Sequence, residues 1–186
     1  TGILAQIAHG KGAVMPLVRP ERAVEVLAGA AGERGLNDGQ MAAASAIVSS
    51  SDRIVAVQGL AGAGKSTMLA AVANVLAFEN KPALGLAFQN KMVADLAAGT
   101  GLETMTIASF LMEHEALIKE PGSAKASASR EALGGSYLIV DEASMVSNDQ
   151  LLVLTMIANR AGVDRLVLVG DRQQLLSIDA GKSFAL

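Results

Sequence analysis

From Ile54 onward, short apolar runs alternate with longer amphipathic ones. The runs at 54–58, 83–88, 137–140 and 166–169 are bounded by turn residues and lack polar alternation, as in strands buried on both faces. Helical patterns fill the intervals at 66–78, 91–98, 107–119 and 148–160. This alternation predicts an α/β chain, a parallel sheet covered by helices. Upstream, Pro20 opens a short predicted helix to Ala31, with Val24, Leu27 and Ala28 on one face and a close at Gly32 to Gly35. Asn37 is a good N-cap for a second helix reaching Val48. Residues 1–18 show no clear period. The small, polar stretch 121–136 reads as a mobile loop. The expected organisation is a small helical lead-in over 1–52 and one α/β domain over 53–186.

Composition narrows the core. Aromatic residues make up 3% of a chain that is 51% hydrophobic, so Ala, Val, Leu, Ile and Met must fill it. The eight methionines are scattered and read as core filler. Without cysteine there are no disulfides and no thiolate metal sites. No apolar run reaches membrane-spanning length and no signal peptide opens the chain, so the expected location is cytoplasmic, with no membrane partner. Thr1 is not a natural start, which suggests a piece of a longer protein. A net charge of −3 leaves no basic tail, so nucleic acid would be held in a local groove, with strong salt dependence. His9 and His114 have no ligand spacing.

Gly59-Leu60-Ala61-Gly62-Ala63-Gly64-Lys65-Ser66 carries the chemistry. It fits the phosphate-loop pattern G-x-x-x-x-G-K-[ST] at every fixed position. A predicted strand precedes it and a predicted helix follows, so free backbone N–H groups and a positive helix end would face an anion. Lys65 would reach the outer phosphates, and the Ser66 hydroxyl would bind magnesium. Asp141 and Glu142 end the strand at 137–140, about 75 residues further on. In a parallel sheet, ligands sit at the carboxyl ends of strands. Asp141 is therefore placed to hold Mg2+ and Glu142 to polarise an attacking water. The strand at 166–169 delivers Asp171 and Gln174 to the same edge, with Gln174 placed to contact a terminal phosphate.

In order along the chain, these segments resemble the first motor domain of RecD-type superfamily 1 helicases. Leu36-Asn37-Asp38-Gly39-Gln40 resembles the adenine-reading Q motif, with Gln40 as base contact. Gly59 to Thr67 is similar to motif I, Asp141 to Val146 to motif II and Gly170 to Phe184 to motif III. Thr106 to Leu111 looks like the DNA-contact segment between motifs I and II, which implicates Thr106 and Ser109. The pattern resembles in particular the first helicase-like region of conjugative relaxase-helicases. The resemblance implies a RecA-like fold, with Gln40, Gly59, Gly62, Ala63, Gly64, Lys65, Ser66 and Thr67 around ATP and Mg2+. It implies Lys65, Asp141, Glu142 and Gln174 as the catalytic set and single-stranded DNA as partner. It also implies a relaxase and a second motor domain elsewhere in the polypeptide.

Two departures shape the functional expectation. Where the family carries Ala-Pro-Thr, this chain has Ala87-Phe88-Gln89-Asn90-Lys91, so DNA contact there would run through Gln89, Asn90 and Lys91. The chain also stops just after motif III, before the second motor domain that would supply an arginine finger. A helicase-like DNA-binding domain that does not unwind alone is one reading; a live ATPase half of a helicase is the alternative. A small-molecule kinase would need an arginine-rich lid, and 121–136 offers only Lys125 and Arg130. Those two, with Lys91 and Arg172, are the candidate phosphate partners, and Phe88, Phe110 and Phe184 the candidate stacking rings.

Overall fold

The computed structural model describes residues 2–58 and 63–170. The expectations placed on Gly59, Gly62, Asp171, Arg172, Gln174 and Phe184 lie outside these residues. Five strands form one sheet: β1 (Ile54–Gln58), β2 (Ala83–Ala87), β3 (Glu103–Thr106), β4 (Tyr137–Val140) and β5 (Arg165–Gly170). Their order is β1-β5-β4-β2-β3, and every neighbouring pair is parallel. The helices are α1 (Gly2–Gly10), α2 (Ala23–Ala31), α3 (Asp38–Ser49), α4 (Ala63–Phe78), α5 (Asn90–Thr100), α6 (Ile107–His114), α7 (Ala116–Lys119), α8 (Ala124–Leu133) and α9 (Asn148–Ala161). The fold is the expected RecA-like α/β arrangement, a parallel sheet flanked by helices.

Strand pleating divides the core. Leu138, Val140, Leu166 and Leu168 point to one face and pack with residues of α6 to α9, with Ile3 and Ile7 of α1 at the margin. Tyr137, Ile139, Val167 and Val169 point to the other and pack with α2, α3, α4 and Leu96 of α5. The two central strands β4 and β5 are buried at every position, which is why they read as unbroken apolar runs. Gly85 on β2 allows close approach: a Cβ there would lie 2.7 Å from Leu96 Cδ2 and 2.9 Å from Thr104 Cγ2.

Arg165 is fully buried at the start of β5. Its Nε donates to the Ile47 carbonyl at 2.9 Å and its Nη1 to the Asp52 carbonyl. The guanidinium carbon lies 5.5 Å from the centre of the Tyr137 ring. A guanidinium presents several donors in a fixed plane, so one side chain ties the end of α3, the turn before β1 and the first residue of β4 together.

Four expectations need correction. Residues 121–136 are not a mobile loop, because α8 occupies their centre. Ser123 caps it by accepting from the Ala126 N–H at 3.1 Å, and Ala126, Ser129 and Leu133 form a buried stripe. Alanine, the best helix former, was read as loop composition because small residues give little hydrophobic signal. β3 lies outside the expected strands, because an edge strand that is mostly polar, Glu-Thr-Met-Thr, is short and only partly buried. The helix expected at 107–119 divides at Glu115 into α6 and α7. On α2 the buried residues are Ala23 and Leu27, whereas Val24 and Ala28 are exposed.

His114 is buried beside Phe110, with Nδ1 2.8 Å from Ser129 Oγ. Burial pushes its pKa below the ordinary value of 6.5, and the nearby Glu113 charge only partly opposes this. A depressed histidine pKa stabilises the fold above the unfolded value and loses that contribution as pH falls through it. Urea midpoints should therefore drop between about pH 7 and about pH 5.5, and His114→Gln should reduce that drop. Arg165→Met should cost about 2–4 kcal/mol in urea unfolding, because it strands one buried and one partly buried carbonyl. A midpoint equal to wild type would show that those hydrogen bonds add nothing.

Candidate functional site

Asn37 and Gln40 open α3 with reciprocal bonds. Asn37 Oδ1 accepts from the Gln40 N–H at 2.9 Å, and Gln40 Oε1 accepts from the Asn37 N–H at 2.8 Å. The same Gln40 amide donates through Nε2 to the Gly64 carbonyl at 2.9 Å. Its side chain is buried, and it fastens the start of α3 to the end of the phosphate loop. An amide oxygen has two lone pairs and an amide nitrogen two protons, so one of each remains after these bonds.

β1 and β4 flank β5, and their carboxyl ends lie on the same rim of the sheet. α4 starts from the rim after β1, and Lys65 in its first turn reaches across to the end of β4. Lys65 Nζ lies 2.9 Å from Asp141 Oδ1 and also pairs with Glu142 Oε1. Lys65 and Asp141 are mostly buried, while Glu142 is 44% exposed. Burial alone would lower the Lys65 pKa; the hydrogen bonds and charges of Glu142 and Asp141 outweigh it and hold the ammonium above its usual value. Lys65 is thus a fixed positive charge. Asp95 lines one cleft with them, so among the described residues three acidic side chains face one ammonium.

Glu142 has a left-handed backbone, φ 50 and ψ 51. Its N–H donates to Asp141 Oδ1 at 3.0 Å, and the Asp141 N–H donates to the Leu86 carbonyl at 2.9 Å. The turn after β4 is therefore anchored to β2 and sends both carboxylates toward Lys65. Non-glycine residues adopt this conformation rarely, and such positions cluster at functional sites.

These groups line a cleft of about 280 Å³ with Ser66, Leu69, Met92, Asp95, Leu96, Gly99 and Thr100. The α5 residues in that wall carried no sequence signal, since a helix after β2 could have faced either way. The donor set suits a magnesium–nucleotide complex: an exposed Ser66 hydroxyl and the Asp141 carboxylate are hard oxygen ligands, beside a cation for phosphate. Thr67 follows Ser66 in the first turns of α4.

Register also sorts the DNA candidates. Ala87 pairs with Thr106, so the segments leaving β2 and β3 emerge side by side. Phe88, Gln89, Asn90 and Lys91 are exposed there, with the Phe88 side chain 40% accessible. Thr106 caps α6 by accepting from the Ser109 N–H at 3.2 Å and donates to Ser109 Oγ at 2.9 Å. Phe110 is fully buried in the core. Lys125 and Arg130 lie elsewhere, on α8. Lys125 lines a cleft with Glu113, Glu120 and Ala132, and Arg130 donates to the Pro121 carbonyl at 3.0 Å. Ala132 and Glu113 also line a surface with Pro82, Ala83 and Glu103 at the amino ends of β2 and β3, away from the rim that holds Lys65.

The AAA domain family model matches residues 35–186. The chain is 35% identical over 189 residues to the multifunctional conjugation protein TraI of Escherichia coli strain K12, covering 99% of this chain and 10% of that protein. It is 32% identical over 137 residues to the probable conjugal transfer protein TraA of Sinorhizobium fredii, covering 74% of this chain and 11% of that one. The conjugal transfer protein TraA of Agrobacterium fabrum is 31% identical over 160 residues, covering 86% of this chain and 13% of its own length. The chain thus spans about a tenth of the length of the curated relatives it matches. Domains of this kind generally bind ATP with Mg2+. With the parallel sheet and the Lys65–Asp141–Glu142 cluster at its rim, the match over residues 35–186 places the chain in the AAA domain family, in its RecD-like superfamily 1 helicase form.

Proposed function

We propose that this chain is the first motor domain of a conjugation relaxase-helicase, that it binds Mg-ATP and single-stranded DNA, and that it does not unwind DNA by itself. The observation that carries the reading is the meeting of Lys65, Asp141 and Glu142 at one rim. Lys65 holds the outer phosphates. Ser66 and Asp141 hold magnesium, which neutralises phosphate charge when bound. Glu142, the more exposed carboxylate, orients the attacking water. The lone pair and N–H that Gln40 retains match the N6–H and N7 of adenine. Gly59, Gly62, Ala63, Gly64 and Thr67 complete the phosphate cradle, and Gln174 senses the terminal phosphate.

Single-stranded DNA crosses the adjacent rim. Phe88 offers a stacking face, Lys91 a charge for the backbone, and Gln89, Asn90, Thr106 and Ser109 polar contacts. Lys125 and Arg130 are too far round the domain to join that groove, and serve at most a separate stretch of strand. Unwinding needs two motor domains, and an arginine finger from the second would raise the rate of hydrolysis by about 10³ to 10⁵. The relaxase and second motor domain belong to the same polypeptide, in the cytoplasm. The alternative reading, a live ATPase half, is favoured by the intact Lys65–carboxylate cluster. It requires a protein with both motor domains to hydrolyse ATP faster than its Lys65→Ala variant; equal rates would exclude it.

A fluorescent ATP analogue with magnesium should bind this chain at micromolar concentration, and Lys65→Ala should abolish binding. No binding to either protein would reject the nucleotide reading. Labelled oligo(dT) should bind with a steep salt dependence, and Phe88→Ala should weaken it by about 1–3 kcal/mol. A flat salt titration, or an unchanged affinity for Phe88→Ala, would count against this groove.

A further inference from the structure

Arg34 is presented by a short turn at the end of α2, beside α4. Gly32-Glu33-Arg34 forms one turn of 3-10 helix between α2 and α3, closed by the Gly35 N–H on the Gly32 carbonyl at 3.2 Å. Gly32 and Gly35 both have left-handed backbones, φ 69 and 63. This conformation is cheap only for glycine, so the pair fixes the turn that presents Arg34. Arg34 lines a cleft of about 230 Å³ with Ala30, Ser66, Thr67, Ala70 and Asn74.

Ser66 and Gly99 also line the cleft of Lys65, Asp141 and Glu142, so the two clefts meet at those residues. Each alone falls below the ~300–1,000 Å³ usual for small-molecule sites, but together they reach it. Among the described residues, the Arg34 guanidinium, like that of Arg19, has no ion pair or hydrogen bond, unlike Arg22, Arg53, Arg130, Arg160 and Arg165.

We propose that Arg34 is a nucleotide-binding residue: its guanidinium binds the phosphate chain of a nucleoside di- or triphosphate whose outer end lies at Lys65. This rests on the nucleotide reading above. It adds a cation from the segment between α2 and α3 to a site otherwise built from strand ends. A guanidinium binds phosphate with two parallel N–H bonds, which an ammonium cannot copy.

The test is titration of the fluorescent ATP analogue with magnesium into wild type, Arg34→Gln, Arg34→Lys and Lys65→Ala. Labelled oligo(dT) and thermal melting are measured in parallel. Arg34→Gln should weaken nucleotide binding roughly tenfold, and Arg34→Lys should recover part of the loss. Melting and oligo(dT) affinity should not change, because the side chain is exposed and, among the described residues, unpaired. Wild-type nucleotide affinity in Arg34→Gln, with binding lost in Lys65→Ala, overturns the inference and leaves the nucleotide reading standing. Loss of oligo(dT) affinity alone overturns it in favour of a DNA-backbone contact. If wild type binds no nucleotide, both fail together.

Discussion

Parallel pairing is the constraint on which the rest depends. A parallel strand cannot follow its neighbour through a tight turn, so each must be carried back by a crossover that covers one face of the sheet. All five strands therefore end at one rim. Segments far apart in sequence are delivered there side by side: the phosphate loop after β1, Asp141 and Glu142 after β4, and Phe88 to Lys91 after β2. The segment from Thr106 to Ser109 emerges next to the last of these because Ala87 pairs with Thr106. The same geometry keeps α8, with Lys125 and Arg130, off that rim.

The rim is electrostatically demanding, and the fold meets the demand with anchored backbone. Lys65 is held as an ammonium against its partial burial by hydrogen bonds and charges from Glu142 and Asp141. The left-handed turn at Glu142 and the bond from Asp141 N–H to Leu86 fix the geometry. At the opposite rim, Arg165 plays a purely structural part. Its donors satisfy carbonyls at the end of α3 and before β1, so the register of β5 against its neighbours is tied to the position of the preceding helices. Gln40 links the two systems, since it caps α3 and also holds Gly64. Movement of α3 would therefore be felt at the phosphate loop.

Most strands were legible because burial on both faces leaves an apolar run with no polar alternation. The expected bounds of β1 and β4 are those observed, and β2 and β5 agree to within a residue at each end. β3 was not, because an edge strand buries only part of its surface and keeps polar residues. α8 was missed for a related reason: its stripe of Ala126, Ser129 and Leu133 is small and weakly apolar, and packing against α7 and α9 decides it. On α2, Val24 and Leu27 are equally apolar, yet only Leu27 meets α4 and the core. A helical period shows that a face exists; a neighbour decides which face is covered.

The sequence by itself determined the phosphate-loop pattern, the acid pair ending a strand, the Asn37 cap and the α/β alternation. Each depends on residues close together in the chain, where local stereochemistry and residue type suffice. The tertiary structure alone decided that Lys65 meets Asp141 and Glu142 across β5, and that Gln40 spends part of its amide on Gly64. It also placed Arg34, unpaired among the described residues, in one cleft with Ser66. Those pairings join segments separated by tens of residues. They exist only because the strand order brings their ends to one rim, and no local pattern encodes that order.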